Sequence, residues 1–318
     1  YAGSDEVVLE GADGNDRKKI LRAINDLEAG GSTAGAAGIN TAYDIAQKYF
    51  IDGGNNRVIL ATDGDLNVGL SSESELTRLI EEKRESGVFL SVLGFGTGNY
   101  KDNRLEALAD YGNGNYSYID SEREAKKVLV DEMSGTLFTV AKDVKFQLEF
   151  NPANVKGYRL IGYENRVMAA EDFNDDTKDA GEIGAGHSVT VLYEIVPADS
   201  KMELGESELK YASDSDGVMG DELLTVNIRY KEPEGGESKL LTYPVNKSLY
   251  SDKMSADMNF ASCVAEFGML LRNSRYIGDV TYKDVSAQLS KYDYSDDDYK
   301  DEFIYLVNTM KRRDTNFQ

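Results

Sequence analysis

The rhythm of apolar and polar positions changes twice along the chain. Up to about residue 142, short apolar runs alternate with stretches of helical spacing. Val7-Val8-Leu9 reads as a short strand, and Asp16 to Leu27 as a helix with Ile20, Leu21, Ile24 and Leu27 on one stripe. Ile39 to Phe50 is a second helix, whose Ala42, Ile45, Ala46 and Tyr49 can face a sheet. Arg57 to Ala61 is a buried strand, and Ser71 to Glu75 cap a helix running to Arg84. Val88 to Leu93 and Tyr116 to Ile119 are further strands, with a short helix from Asn103 to Ala109 between them. Ser121 caps a last helix through Leu137. This alternation predicts an α/β fold of the Rossmann-like kind, a parallel-rich sheet with helices on both faces.

From 143 to 250 the period drops to two. Val144 to Phe150, Ser188 to Val196 and Leu224 to Tyr230 alternate apolar and polar residues, and Lys239 to Val245 does so more weakly. Such strands between Gly- and Asp-rich turns predict an antiparallel, sandwich-like β domain with one wet face. From 251 to 318 the pattern is helical again. One stripe is Phe260, Val264, Phe267, Leu270 and Leu271, another is Phe303, Leu306, Val307 and Met310, and both read as packing faces. The expected domains are therefore 1–142, 143–250 and 251–318.

Composition narrows the function classes. A chain of 318 residues is long for one core, which agrees with several domains. A net charge of -22 opposes nucleic acid and anionic membrane surfaces, both of which demand basic footprints. Such an acidic surface is first a solubility device, and only second a lure for divalent cations or basic partners. The lone Cys263 allows no internal disulfide and no thiolate cluster, and its apolar setting makes it a small buried hydrophobe. His187 is the one histidine; it precedes a strand and marks a turn, so zinc sites rich in His and most triads are excluded. No apolar run reaches the roughly 20 residues of a membrane-spanning helix.

The candidate chemistry sits where the apolar run Val58-Ile59-Leu60 ends in Ala61-Thr62-Asp63-Gly64. A buried strand followed by an acidic Gly turn puts a carboxylate at the carboxyl edge of a parallel sheet, where open α/β sheets bind ligands. A second loop, Gly30-Gly31-Ser32-Thr33-Ala34-Gly35, offers hydroxyls on flexible backbone. Asp63 with Thr33 and Ser32 is a set of hard oxygen ligands suited to Mg²⁺ or Mn²⁺, and Asp65 and Asn67 lie just beyond. The residues alone equally allow a turn or helix-capping aspartate at 63. Other strings fail on spacing. Gly94-Phe95-Gly96-Thr97-Gly98 is no dinucleotide fingerprint, and Gly30 to Gly38 lacks the Gly-Lys-Ser/Thr of a phosphate loop. Asp172-x-Asn174-x-Asp176 has Thr177 where a calcium loop needs Gly, Asp214-Ser215-Asp216-Gly217 reads as a turn, and Asp293 to Asp298 as wet surface.

The order of Gly30 to Gly35, then a helix, then Arg57-Val-Ile-Leu-Ala-Thr-Asp-Gly64, then Phe89-Leu-Ser-Val-Leu-Gly-Phe-Gly96 resembles a von Willebrand factor type A domain. Phe173 to Gly184 and Val264 to Leu271 are similar to bacterial secreted or envelope proteins in which a β-rich segment and a helical extension follow that domain. The resemblance implies a metal-ion adhesion site that joins an Asp-x-Ser-x-Ser loop, a Thr and an Asp. The Thr would be Thr33, with Ser32 second, and the Asp would be Asp63. The chain carries no Asp-x-Ser-x-Ser; Asp284-Val285-Ser286-Ala287-Gln288 lacks the last Ser and reads as a surface helix. The family's first strand and helix, expected before Tyr1, are absent too. This implies either that the residues form the carboxy-terminal portion of a longer protein or that another segment fills the gap.

These readings lead to protein-ligand binding or assembly rather than catalysis. The partner would be a protein that offers a carboxylate to the cation, with Asp65, Asn67 and Thr97 on the rim. A scaffold with a metal-free A domain is the alternative. A metal-dependent hydrolase ranks last, because no paired carboxylates flank Asp63. The resemblance also implies a location outside the cytoplasm.

Overall fold

A computed structural model describes residues 4–28, 35–63, 73–97, 102–133, 135, 138–164, 166–204, 220–233 and 235–315. Three parallel strands, β1 (Arg57–Thr62), β2 (Phe89–Phe95) and β3 (Tyr116–Ile119), form a sheet in the order β1-β2-β3. The register sets Thr62 opposite Gly94 and Gly94 opposite Tyr118, so all three strands end on one edge. One sheet face gives Val58, Leu60, Leu90 and Val92 to a core closed by α2 (Gly35–Lys48), α3 (Glu73–Arg84) and α4 (Asp102–Tyr111). On the other face Leu93 and Ile119 meet Val128 and Ala125. Helices on both faces of a parallel sheet are the architecture that the alternation implies.

The Tyr43 hydroxyl lies inside the first core without a hydrogen-bond partner, and burial pushes its pKa up to about 12.

Three sequence expectations are corrected in this region. Val7-Val8-Leu9 is not a strand but irregular chain, with Val7 and Val8 exposed and the Asp5 carboxylate accepting from Thr41 of α2. A strand needs a ladder partner, and the described residues supply none there. α1 (Arg17–Asn25) does form, with the Asp16 side chain accepting from the Lys19 amide, but its stripe faces solvent. Leu21, Ile24 and Leu27 are more than half exposed, so periodicity shows an apolar stripe without showing what covers it. The helix after Ser121 also changes type along its length. α5 (Glu122–Lys126) passes into a π-turn over Lys127–Asp131, closed by the Glu132 amide on the Lys127 carbonyl at 2.8 Å.

The β-rich region forms two sheets. β6 (Gly181–Gly184), β4 (Thr139–Phe150), β8 (Glu222–Glu232) and β9 (Gly235–Asn246) lie in the order β6-β4-β8-β9. β5 (Val155–Ile161) and β7 (Leu192–Pro197) pair antiparallel. β5 escaped the pattern because Gly157 interrupts its alternation. His187 does mark a turn, its amide donating to the Gly184 carbonyl at 3.0 Å.

Helices α6 (Ala256–Leu271), α7 (Tyr282–Leu289) and α8 (Asp298–Thr315) make a separate core of Cys263, Val285, Leu289, Tyr294 and Val307. Phe303 sits edge-on to Phe260 and Phe267 at 5.2 and 5.3 Å. Cys263 is fully buried, as its setting implies, and burial pushes its thiol up to about 11. The α6 stripe is split, however: Phe260, Phe267 and Leu270 meet this core, while Val264 and Leu271 are exposed. Asp284 and Ser286 belong to α7, where Thr281 and Asp284 form a capping box.

Burial, with Asp284 second, raises the Glu266 carboxyl above its ordinary 4.5. A raised carboxylate stabilises the fold fully only below the unfolded pKa, and that contribution is lost as pH rises through the folded pKa. Glu266→Gln escapes the loss. Its melting temperature, followed by circular dichroism, should therefore gain on the parent chain as pH rises from the ordinary carboxylate range, 4.5, through the raised folded pKa. A constant difference over that range excludes the coupling.

The described backbone falls into two compact units. Tyr1–Lys142, Gly181–His187 and Glu232–Gly235 form one; Asp143–Ala180, Ser188–Lys231 and Gly236–Gln318 form the other.

Candidate functional site

At the carboxyl edge of the parallel sheet Thr62 is still buried, and Asp63, the next residue, reaches solvent. β1 therefore delivers this carboxylate as its inward-facing residues run out. The neighbouring strand turns away through Gly96, whose φ of +93° suits glycine alone. A Cβ on Gly96 would lie 3.8 Å from the Asp63 Cβ, so the two strand ends are in contact distance. From the third strand the Tyr118 hydroxyl donates to the Gly96 carbonyl at 2.6 Å and ties the second turn to β3. Thr97 follows, exposed. Tyr116, two residues earlier, donates to the Asp102 carboxylate at the start of α4.

Asp63 and Thr97 thus belong to one edge, as the sequence implied. Ser32, Thr33, Asp65 and Asn67 lie outside the described residues. Gly96 and Tyr118 were missed as parts of this edge. The available signal was the pair Tyr116-x-Tyr118, whose period of two places both rings on one face of a strand running to that edge.

Donor chemistry is the test of a cation here. A carboxylate beside hydroxyl-bearing loops is the hard oxygen set that Mg²⁺ or Mn²⁺ takes. Of that set only Asp63 is among the described residues, where no three His, Cys, Asp or Glu side chains converge to hold a metal ion. Asp63 fits a single ligand position; the shell is not complete without other donors. Asp172 and Asp175, the calcium-like string, instead give their carbonyls to Lys145, which leaves that loop a structural one.

Comparison with known proteins adds the family. The von Willebrand factor type A domain model matches residues 1–132. The model described as "Uncharacterized protein YfbK, C-terminal" matches residues 135–312, more than half of the chain. The chain belongs to the YfbK family of bacterial von Willebrand factor type A proteins. It is 44% identical over 312 residues to "Uncharacterized protein YfbK" of Escherichia coli K12, covering 96% of this chain and 53% of that protein. The chain therefore spans about half the length of that YfbK relative. Among solved structures it is similar to "von Willebrand factor type A from Catenulispora acidiphila", at 16% identity and a TM-score of 0.40, covering 87% of this chain and 62% of that one. The human COPII-coat protein Sec24c follows at 12% identity and 0.38, covering 87% and 37%. No helix among the described residues is long and apolar enough to cross a membrane.

Proposed function

We propose that this YfbK-family chain binds a protein partner at the carboxyl edge of β1-β2-β3, without catalysis, outside the cytoplasm. The supporting observation is the exposed Asp63 at the end of β1, held beside the Gly96 turn of β2. A von Willebrand factor type A domain supports a protein-interaction or scaffold role. In the finer form of this reading Asp63, with Thr33 or Ser32, holds Mg²⁺ or Mn²⁺. A cation so held supplies an open position for a carboxylate of the partner. Asp63 is exposed to solvent, Gly96 leaves the approach free of a side chain, and Tyr118 fixes the Gly96 turn. Thr97, Asp65 and Asn67 frame the approaching partner.

A Mn²⁺ titration by calorimetry tests the finer form. Saturable binding is expected, and Asp63→Ala should weaken it by roughly a hundredfold or more with the melting curve unchanged. Equal binding by both proteins removes Asp63 from the site. No binding by the folded parent chain favours the second reading, a metal-free scaffold. The observation on that side is the lack of a convergent group of ligand side chains among the described residues.

A further inference from the structure

An open cavity of about 460 Å³ runs along one side of α8, far in sequence from the Asp63 edge. Asp301, Ile304, Tyr305, Asn308, Lys311 and Arg312 line it. Steps of three and four put these residues on one face of the helix. At a rise of about 1.5 Å per residue the row spans roughly 16 Å. Its two ends differ. Asp301 stands at one, the nitrogen donors of Asn308, Lys311 and Arg312 at the other, and Ile304 and Tyr305 lie between.

The donor end is shaped from beneath by Ser286 of α7, which is only 7% exposed. Lys311 Nζ donates to its hydroxyl at 3.1 Å, and the hydroxyl lies 2.9 Å from Asn308 Oδ1. An ammonium can only donate, so Ser286 keeps its own proton for Asn308. Asn308 must therefore present its oxygen to Ser286, which leaves its amide nitrogen for the cavity that the residue lines. That nitrogen carries two N–H groups, and neither finds an acceptor among the described residues. Asn308 and Lys311 are both half-buried, so one buried hydroxyl holds two donors in fixed places at the cavity wall.

Charge points the same way. Lys311 and Arg312 bring two positive charges to this end, in a chain of net charge -22. Arg312 is steadied by donating to Thr309 Oγ1 at 3.2 Å. Asp301 lies about 15 Å from Lys311 along the helix, beyond the roughly 8 Å screening length of physiological salt. The carbonyls that end α8 form a weak negative pole, which Arg312 and Arg313 of the last turn offset. Between the two ends Ile304 packs its inner side on the helical core, while Tyr305 is 63% exposed and offers a ring to a flat neighbour.

We propose that this cavity binds a small organic anion, an aromatic carboxylate or phosphate ester. The anionic group sits among Asn308, Lys311 and Arg312, and the apolar body lies along Ile304 and Tyr305. Cavities of about 300–1,000 Å³ that combine an apolar wall with a few placed polar groups are the usual form of such sites. Arg312 supplies the forked N–H pairs that match carboxylate and phosphate oxygens, Lys311 a point charge and Asn308 two neutral donors. Ser286 touches no ligand; it is a positioning residue for two side chains that do.

Phenyl phosphate titrated into the isotope-labelled full chain tests the site by nuclear magnetic resonance. Amide signals of α8 should shift saturably. Inorganic phosphate and phenol should each bind at least about tenfold more weakly, because each supplies only half of the ligand. Benzoate in parallel identifies the preferred anionic group, and either preference supports the proposal. Asn308→Asp sets an acceptor where the donors were and should weaken binding about a hundredfold; Ser286→Ala and Arg312→Gln should each weaken it about tenfold. Arg312 is on exposed helix surface, and an unchanged circular dichroism spectrum separates lost binding from lost folding in all three variants. A parent chain without saturable shifts overturns the proposal, as do shifts that map away from α8. So does undiminished binding by Asn308→Asp, or inorganic phosphate that binds as tightly as phenyl phosphate.

Discussion

Gly114→Ala should destabilise the first unit by about 3 kcal/mol or more, even though it replaces glycine with a residue of better backbone propensity. Stiffening the unfolded chain alone would favour alanine by about 0.4–1 kcal/mol. The folded state reverses that sign. A Cβ at residue 114 would lie 1.8 Å from the Leu90 carbonyl oxygen, 2.4 Å from its carbon and 2.8 Å from the Ser91 nitrogen. These are backbone atoms of the middle strand, so no side-chain rotation relieves the overlap. Nor is the loop free to withdraw. The Gly114 amide donates to Ala109 at 2.9 Å, Leu90 donates to the Gly112 carbonyl at 2.8 Å and Val92 to Asn115 at 2.9 Å. Moving residue 114 breaks the link that sets β3 in register with β2, and with it the position of Tyr118 against Gly96. Urea denaturation of the two proteins measures the difference; a loss under about 0.5 kcal/mol would mean that the strands separate more easily than their hydrogen bonds imply.

The same loop shows which parts of the fold the sequence made legible. β2 announces itself because a strand buried on both faces is a continuous apolar run, as Val88 to Leu93 is; Arg57 to Ala61 of β1 is as apolar a run, yet Ile59 is 49% exposed and only alternate residues of that strand are buried. The closeness of Gly114 to Leu90 is a tertiary fact, set by how α4 returns the chain, and no local pattern encodes it. The site divides in the same way. Asp63 was readable because it ends a buried strand. Tyr118 was not, because its contact with Gly96 depends on the register between β2 and β3. Apolar stripes misled in one respect only: Leu21 and Ile24 of α1 and Val264 and Leu271 of α6 are as apolar as core positions but are exposed. A stripe records a tendency to be covered, and the covering surface is not written beside it. Lys145 was missed for the opposite reason. Its place in an alternating strand made it read as one of the wet positions, and the turn that reaches over it lies a full strand away in sequence.

Lys145→Ala should cost the second unit about 3 kcal/mol, and Lys145→Met nearly as much. The side chain is only 3% exposed, and its ammonium meets the carbonyls of Asp172 and Asp175 at 3.1 and 2.5 Å. A hydrogen bond involving a charged group is worth roughly 1.5–3 kcal/mol, and removing the donor leaves two inward-facing carbonyls without it. Methionine keeps most of the apolar stem, so the comparison isolates the ammonium from the packing. The loss should be local first. The 170–180 segment buries Phe173 under Arg229 at 5.5 Å, gives the Asp176 carbonyl to Lys231 at 2.8 Å and takes the Ser238 amide on the Asp176 side chain. Without Lys145 the segment keeps these ties to β8-β9 and, toward β4, the Ala180 amide on the Asp143 carboxylate at 3.4 Å, so amides between 171 and 180 should exchange faster than those of β8. Hydrogen exchange on the parent chain and both variants resolves this. Unaltered protection in Lys145→Met would show that the stem, and not the charge, fastens the segment to the sheet. Faster exchange in both variants would make Lys145 the peg that holds the 170–180 segment against β4-β8-β9.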